Sequence, residues 1–413
     1  MRNADAGHVG QHLSAKQLGW FDARVPSNIA LMKTTMLHVP FVDLRAQYAT
    51  LREEVNTAVL TVLETSQFIG GAVVEKFEQE FADFVGARYC AGVANGTDAI
   101  TLAARASGLG PGDEVLVPAN TFFATAEAVS NCGARPVFVD VDPITFHMDV
   151  ASAAKAVTDR TKAMLPVHLY GRAMDMRPFE ALAEQHGLWI LEDCAQAHGA
   201  SIGGKTVGSS GRLTCYSFYP GKNLGAYGDG GAVTTSNPEL IQRLRMLRDH
   251  GSAAKYDHSI VGWNSRLDAL QAAVLSVKLR YLQSWNEARR KHAKRVASAL
   301  RNSPILPPEL PGHNQHVFHL FVIRCSQRDK LKCFLADKGI QTGIHYPVPL
   351  HLTGAYQTLG APGKGAMPIA ESLASEILSL PMYAELSDEE IDYIIVALME
   401  FVDAFAPSTP SKF

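Results

Sequence analysis

The chain has 413 residues, 47% of them hydrophobic, which suffices for a large core and more than one domain. Lys plus Arg number 38 and Asp plus Glu 41, a net charge of −3, so neither a basic excess nor an acidic tract points to nucleic acid or a strongly charged partner. No apolar run approaches the ~20 residues of a membrane span. The six cysteines (Cys90, Cys132, Cys194, Cys215, Cys325 and Cys333) form no CxxC pair, and free, mostly buried thiols of a cytoplasmic protein are expected. Cys and His do not cluster at ligand spacing, so no metal site is expected.

Residues 1–35 are polar, unpatterned and interrupted by Gly and Pro, and lack the apolar region of a signal peptide. A disordered or loosely attached arm is expected there. Ordered patterning begins near Met36, ahead of Val39-Pro40-Phe41-Val42-Asp43-Leu44. Strands are predicted at Tyr89–Ala94, Glu114–Pro118, Pro136–Asp140, Ala163–Val167, Trp189–Glu192, Cys215–Phe218 and Ala232–Thr235. These runs are almost continuously apolar, as expected of strands covered on both faces. Helices are predicted between them at Asp98–Ser107, Ala124–Cys132, Met176–His186 and Pro238–His250. The alternation predicts an α/β fold with a mainly parallel sheet. Two long helices follow, Arg266–Tyr281 and Trp285–Leu300. After Pro304–Pro311 come a strand near Val317–Arg324 and helices near Arg328–Lys338 and Ser387–Phe405. The expected organisation is a large domain over 36–285 and a smaller C-terminal α/β domain over 286–413.

One segment stands out chemically. Residues 216–231 are glycine-rich and aromatic, and carry one lysine, Lys222, with Asp229 as the only other charge. An amine among rings and close-packed backbone is poorly solvated. Its ammonium form is disfavoured, as in lysines that attack carbonyls. Glu192-Asp193 follows the apolar strand Trp189-Ile190-Leu191, at the carboxyl end where open α/β sheets bind ligands. A helix cap or loop carboxylate is the plainer reading. Asn95-Gly96-Thr97-Asp98 joins a strand to a helix and suits either a phosphate or ordinary capping. Ser217 offers a second hydroxyl. Phe122 either stacks on an aromatic ligand or fills the core. An amine, an acid, a ring face and a phosphate cradle together suggest pyridoxal phosphate.

The motifs Val39–Leu44, Asn95–Asp98, Glu192-Asp193-x-Ala195-Gln196-x-His198-Gly199, Ser217–Gly231, Gly262-x-Asn264-Ser265-Arg266-Leu267-Asp268 and His345-Tyr346-Pro347 occur in order. With them the chain resembles the DegT/StrS-type sugar-nucleotide aminotransferases, fold-type I pyridoxal-phosphate enzymes, from about Val39 to about Phe405. That resemblance implies a large domain with a seven-stranded sheet. It also implies that Lys222 carries the cofactor, Asp193 pairs with its ring nitrogen and Gln196 bonds its ring hydroxyl. Phe122 then stacks on the ring, while Gly96, Thr97 and Ser217 hold the phosphate. Asn264 is implied to reach the phosphate of a second subunit, in a homodimer with sites at its interface. His198, Tyr219, His345 and Tyr346 match positions near the sugar. Cys194 stands where Ala is more usual.

The implied reaction moves an amino group, with glutamate as expected donor, to a keto sugar nucleotide, and Lys222 shuttles the proton. The runs His168–Gly171, Phe218–Lys222 and Lys255–Arg266 most resemble the branch that aminates dTDP-3-keto-6-deoxyhexoses. The alternatives are 4-keto or UDP-linked sugars and keto-inositols. A sugar dehydratase of this fold would carry His in place of Lys222. A non-enzymatic regulator would need a DNA-binding module or basic face. Met36 is the expected natural start, and an intact mass of the native protein that includes residues 1–35 would rule this out.

Overall fold

The computed structural model describes residues 37–312 and 315–405, so the arm expected over 1–35 lies outside the described residues. Each predicted apolar run of the large domain becomes a strand of one sheet. The strands are β1 (Tyr89–Val93), β2 (Glu114–Pro118), β3 (Arg135–Val139), β4 (Thr161–Met164), β5 (Trp189–Asp193), β6 (Leu213–Ser217) and β7 (Gly231–Thr235). Their order is β1-β7-β6-β5-β4-β2-β3. Only β7 runs against its neighbours; the remaining pairs are parallel.

The continuous apolar runs reflect cover on both faces. On one face Ala91, Val93, Val115, Val117 and Leu191 pack against α3 (Gly96–Ala106), α4 (Phe123–Asn131) and α7 (Pro238–Arg248). On the other, Cys90, Tyr216 and Ala232 meet α2 (Gly71–Val85) and α8 (Ala269–Leu279). Beside them, Leu116, Met164 and Ile190 meet α5 (Val150–Ala156) and α6 (Arg177–His186). Five cysteines are buried and Cys333 is exposed.

Four features depart from the sequence reading. Two helices, α1 (Leu44–Thr65) and α2, precede β1 where none was predicted. Leu37 and Val39 do not belong with the large domain: Val39 pairs with Ile340 and is buried in the core of the C-terminal domain, against which Leu37 packs. No clean cut falls at residue 285, because α9 (Leu282–Ala299) spans the junction. Trp285 packs with Leu51, Val55 and Val277 of the large domain, while Ala293 and Val296 lie in the small core. Finally, the strand expected over 317–324 is only β8 (Phe321–Arg324). The preceding residues pair instead with the turn after β4, Val317 N–H to Gly171 O at 2.8 Å and Leu320 N–H to Tyr170 O at 3.2 Å.

The small domain closes β8 against β9 (Ile377–Leu380), antiparallel, under α9, α10 (Arg328–Asp337) and a C-terminal helix over Asp388–Phe405. The large-domain core reaches directly under the Lys222 segment. Phe81 of α2 is fully buried and meets Tyr216 and Phe218 edge-on at 4.9 and 5.2 Å between centroids. Phe81→Ala is expected to lower the unfolding free energy by about 3–5 kcal/mol. Chemical denaturation checks this, and a loss below about 1 kcal/mol would contradict the packing described.

Candidate active site

The carboxyl ends of β4, β5 and β6 converge with the turns after β1 and β2, and this convergence gathers the candidate residues. Lys222 follows β6 in a tight coil. Its N–H donates to Tyr219 O at 2.8 Å, and the Ala226 N–H returns to Phe218 O at 2.7 Å. The coil winds so closely that a Cβ on Gly225 would lie 2.3 Å from Pro220 O, so only glycine fits there. Burial lowers the Lys222 amine to about 8, against an opposing pull from the Asp193 carboxylate.

Asp193 is the last residue of β5. Its Oδ1 accepts the Ala195 N–H at 3.0 Å and its Oδ2 the Thr125 hydroxyl at 2.9 Å. Burial raises its carboxyl above the usual range, and the two donors and Lys222 pull it back. The cap reading is therefore incomplete: this carboxylate is buried, aimed and held by two elements. Thr125, on α4, carried no sequence signal. Behind Asp193 the buried Glu192 accepts from His168 Nε2 (3.1 Å), Ser210 (2.9 Å) and Arg212 (3.0 Å). His168 Nδ1 accepts the Met174 N–H at 3.0 Å. The fold thus brings His168, Glu192 and Cys194 together, a grouping hidden in the sequence. Both imidazole nitrogens and both Glu192 oxygens are already spent on hydrogen bonds.

Gln196 bridges two parts of the site. Its Oε1 accepts the Tyr170 N–H at 2.6 Å and its Nε2 donates to the Tyr346 hydroxyl at 3.2 Å. Tyr170 is a further residue that the motif reading did not assign to the site. Its backbone is left-handed, φ +61°, and its hydroxyl donates to the His345 carbonyl at 2.5 Å. It therefore joins the sheet end to the His345-Tyr346 turn of the small domain.

Phe122 is 52% exposed and lies 5.3 Å from the Tyr346 ring, which removes the reading of a core phenylalanine. Tyr219 is exposed at the mouth. His345 is half-buried, with Nδ1 2.9 Å from Ser379 Oγ; burial and then Lys222 hold its imidazole near 4. At the other end Gly96 presses its backbone on Ser217, where a Cβ would meet the serine Cβ at 2.5 Å. Asn95 Oδ1 caps the Asp98 N–H at 2.8 Å, which leaves the N–H groups of Gly96 and Thr97 at the head of α3 beside the Ser217 and Thr97 hydroxyls. Capping is thus served by Asn95, and the Gly96 and Thr97 donors are not spent on it.

His198 is corrected. It is fully buried, 5.6 Å from the Tyr216 ring and 5.8 Å from Phe218, so it supports the floor of the site and presents no surface to a sugar. Burial, then Lys222, holds it near 3 and uncharged at neutral pH. Asn264 is exposed, and its neighbour Ser265 donates to Asp98 Oδ2 at 2.7 Å. The Asn264 backbone pairs with that of Asp249.

The donor set fits pyridoxal phosphate. A largely buried amine of lowered pKa and a buried carboxylate suit its aldehyde and ring nitrogen. An exposed aromatic face suits its ring, and a helix head with two hydroxyls its phosphate. Fold and site together define a fold-type I pyridoxal-phosphate enzyme. The chain belongs to the DegT/DnrJ/EryC1/StrS aminotransferase family, whose model matches residues 49–399. Among curated proteins it is 47% identical to a Geobacillus stearothermophilus pleiotropic regulatory protein, over 90% of this chain and all of that one. It is 46% identical to the dTDP-3-amino-3,4,6-trideoxy-alpha-D-glucose transaminase of Streptomyces venezuelae, over 88% of this chain and 96% of that one. It is equally, 46%, identical to an Acidithiobacillus ferrooxidans UDP-N-acetyl-3-dehydro-alpha-D-glucosamine 3-aminotransferase, over 87% of this chain and 97% of that one. A crystal structure of S. venezuelae DesV in complex with a ketimine intermediate superposes with TM-score 0.87 at 46% identity, covering 88% and 98% of the two chains. The chain is a pyridoxal-phosphate-dependent transaminase of keto sugar nucleotides.

Thr125→Val is expected to leave Asp193 Oδ2 without its donor and to push its carboxyl further up. Loss of one charge-assisted bond predicts roughly a ten- to hundredfold fall in kcat. Steady-state kinetics check it, and an unchanged kcat would show that Asp193 needs no such support.

Proposed function

We propose that this enzyme transfers the amino group of L-glutamate to a dTDP-3-keto-6-deoxyhexose, giving the 3-amino-3,6-dideoxyhexose nucleotide, as a cytoplasmic homodimer. One observation carries the amine-transfer reading: a lysine held near 8 beside the buried carboxylate of Asp193. The dTDP-linked 3-keto substrate rests on the motif spelling and on the printed activity of the S. venezuelae relative. The A. ferrooxidans relative supports a second reading with a UDP-linked 3-keto sugar; both place the new amine at C3. The homodimer rests on exposed Asn264 and on the apolar side chains Leu60, Leu63, Phe68 and Ile69 left at the surface of α1 and the turn after it. Among the described residues no helix is long and apolar enough to cross a membrane.

When bound, pyridoxal phosphate supplies an aldehyde for the amine and a ring that withdraws electrons. The chain's residues do the rest. Asp193, fixed by Ala195 and Thr125, would hold a negative charge toward the ring nitrogen and favour its protonated form. The head of α3 with Thr97 and Ser217 would hold the phosphate. Phe122 and Tyr346 wall the cleft and limit water. Lys222 Nζ, near 8, holds a proton or gives it up around neutral pH, as acid–base work requires.

A panel of dTDP- and UDP-linked 3-keto and 4-keto sugars, assayed with glutamate, tests the substrate. Amination of the dTDP-linked 3-keto sugar is expected with the highest kcat/KM, and amination of 4-keto sugars alone would overturn the proposal. A cofactor band that ignores every amine donor would favour a sensor. Lys222→Ala should abolish turnover. In the wild-type apoprotein, capture of free pyridoxal phosphate should accelerate as pH rises through about 8, as the neutral amine forms, and then level off. A rate flat from pH 6 to 9 would contradict the lowered amine.

A further inference from the structure

A second lysine, Lys278 on α8, is only 1% exposed and takes no part in the chemistry above. Its Nζ donates to the Gly225 carbonyl at 2.5 Å. The ammonium lies 5.0 Å from the centroid of the Tyr227 ring and 6.0 Å from that of Trp285, within cation–π range of both faces. The charged groups that act on it are Glu385, from the loop ahead of the last helix, and Arg289 of α9. Burial lowers this amine too, to about 8, with Glu385 opposing and Arg289 adding to the fall.

A buried cation is costly, and an apolar side chain of similar length would serve a core as well or better. What Lys278 gains in return is its acceptor. Gly225 is the crowded turn of the coil that carries Lys222, and its carbonyl faces α8. The same helix holds the coil again one step on, where Gln271 Oε1 accepts the Tyr227 N–H at 2.9 Å. On the other side the Asn223 amide donates to Asn286 of α9 at 2.8 Å and to Val317 O at 3.0 Å. The coil after Lys222 is thus held at three successive points by side chains or backbone from outside it.

We propose that Lys278 is a positioning residue: from α8 its ammonium clamps the Gly225 carbonyl and fixes the coil that aims Lys222. The proposal rests on the reading of Lys222 as the cofactor-bearing amine, but the clamp exists without the cofactor. The test therefore begins with cofactor-free protein, comparing wild type, Lys278→Met and Lys278→Arg by hydrogen exchange and thermal melting. In Lys278→Met, exchange at the amides of Lys222 and Ala226 should rise roughly tenfold or more, the loss of one charge-assisted hydrogen bond. The melting temperature should hold or rise, and Lys278→Arg should recover part of the protection. After loading, kcat of Lys278→Met should fall by a similar factor with KM for the sugar nucleotide within about twofold. Unchanged exchange at those amides would overturn the proposal. A Lys278→Met chain that melts far lower or does not fold would also overturn it, because Lys278 would then be a residue of general stability. Failure of the wild type to bind pyridoxal phosphate would sink the functional reading alone and leave the exchange result standing.

Discussion

An amine and a carboxylate, both withdrawn from water at neighbouring strand ends, are the constraint on which the rest of this molecule turns. Neither Lys222 nor Asp193 is comfortable alone: burial pushes the amine down and the acid up, and each moderates the other. Such a pair persists only where the fold fixes both partners and supplies further hydrogen bonds. The sheet order does this. Placing β5 beside β6 puts Asp193 at one strand end and starts the Lys222 coil from the next. The Ala195 N–H and the Thr125 hydroxyl, the latter from α4 after β2, then settle the carboxylate.

The remainder of the site follows from what surrounds that pair. Glycine at 96 lets the head of α3 close on Ser217, so a backbone anion cradle sits against the strand that leads to Lys222. The small domain is not a separate lid. Residues 315–320 pair with the turn after β4, and Tyr170 grips the His345 carbonyl, so Tyr346 reaches Gln196 and Phe122 on the opposite wall. Large and small domains therefore share one polar seam through the cleft.

The sheet was legible because its strands are buried on both faces and read as unbroken apolar runs. Lys222 was legible because a lone amine among glycines and aromatic rings demands an explanation, and Asp193 because it stands at the carboxyl end of such a strand. Other features left weaker traces. Helix α1 buries only Gln47, Leu51, Val55 and Val62 along 22 residues, too thin a stripe to stand out among its threonines and charges. The pairing of Val39 with Ile340 joins segments 301 residues apart, which no local pattern encodes. Thr125 and Tyr170 act through hydrogen bonds that cross between elements, to Asp193 for the one and to Gln196 and the His345 carbonyl for the other, which no local pattern encodes. Lys278 drew no notice within its predicted helix, because only the fold closes Tyr227 and Trp285 over it. His198 lies in a motif that matched substrate positions, yet aromatic packing against Tyr216 and Phe218 takes it out of reach.

Two lysines of this chain are buried near a common coil and lowered to about the same value, and only one of them opens on the cleft. Borohydride reduction of the enzyme loaded with pyridoxal phosphate, followed by peptide mass mapping, separates them directly. The account predicts a single pyridoxyl adduct, on Lys222. An adduct on Lys278 or elsewhere with Lys222 unmodified, or no adduct at all, would contradict it.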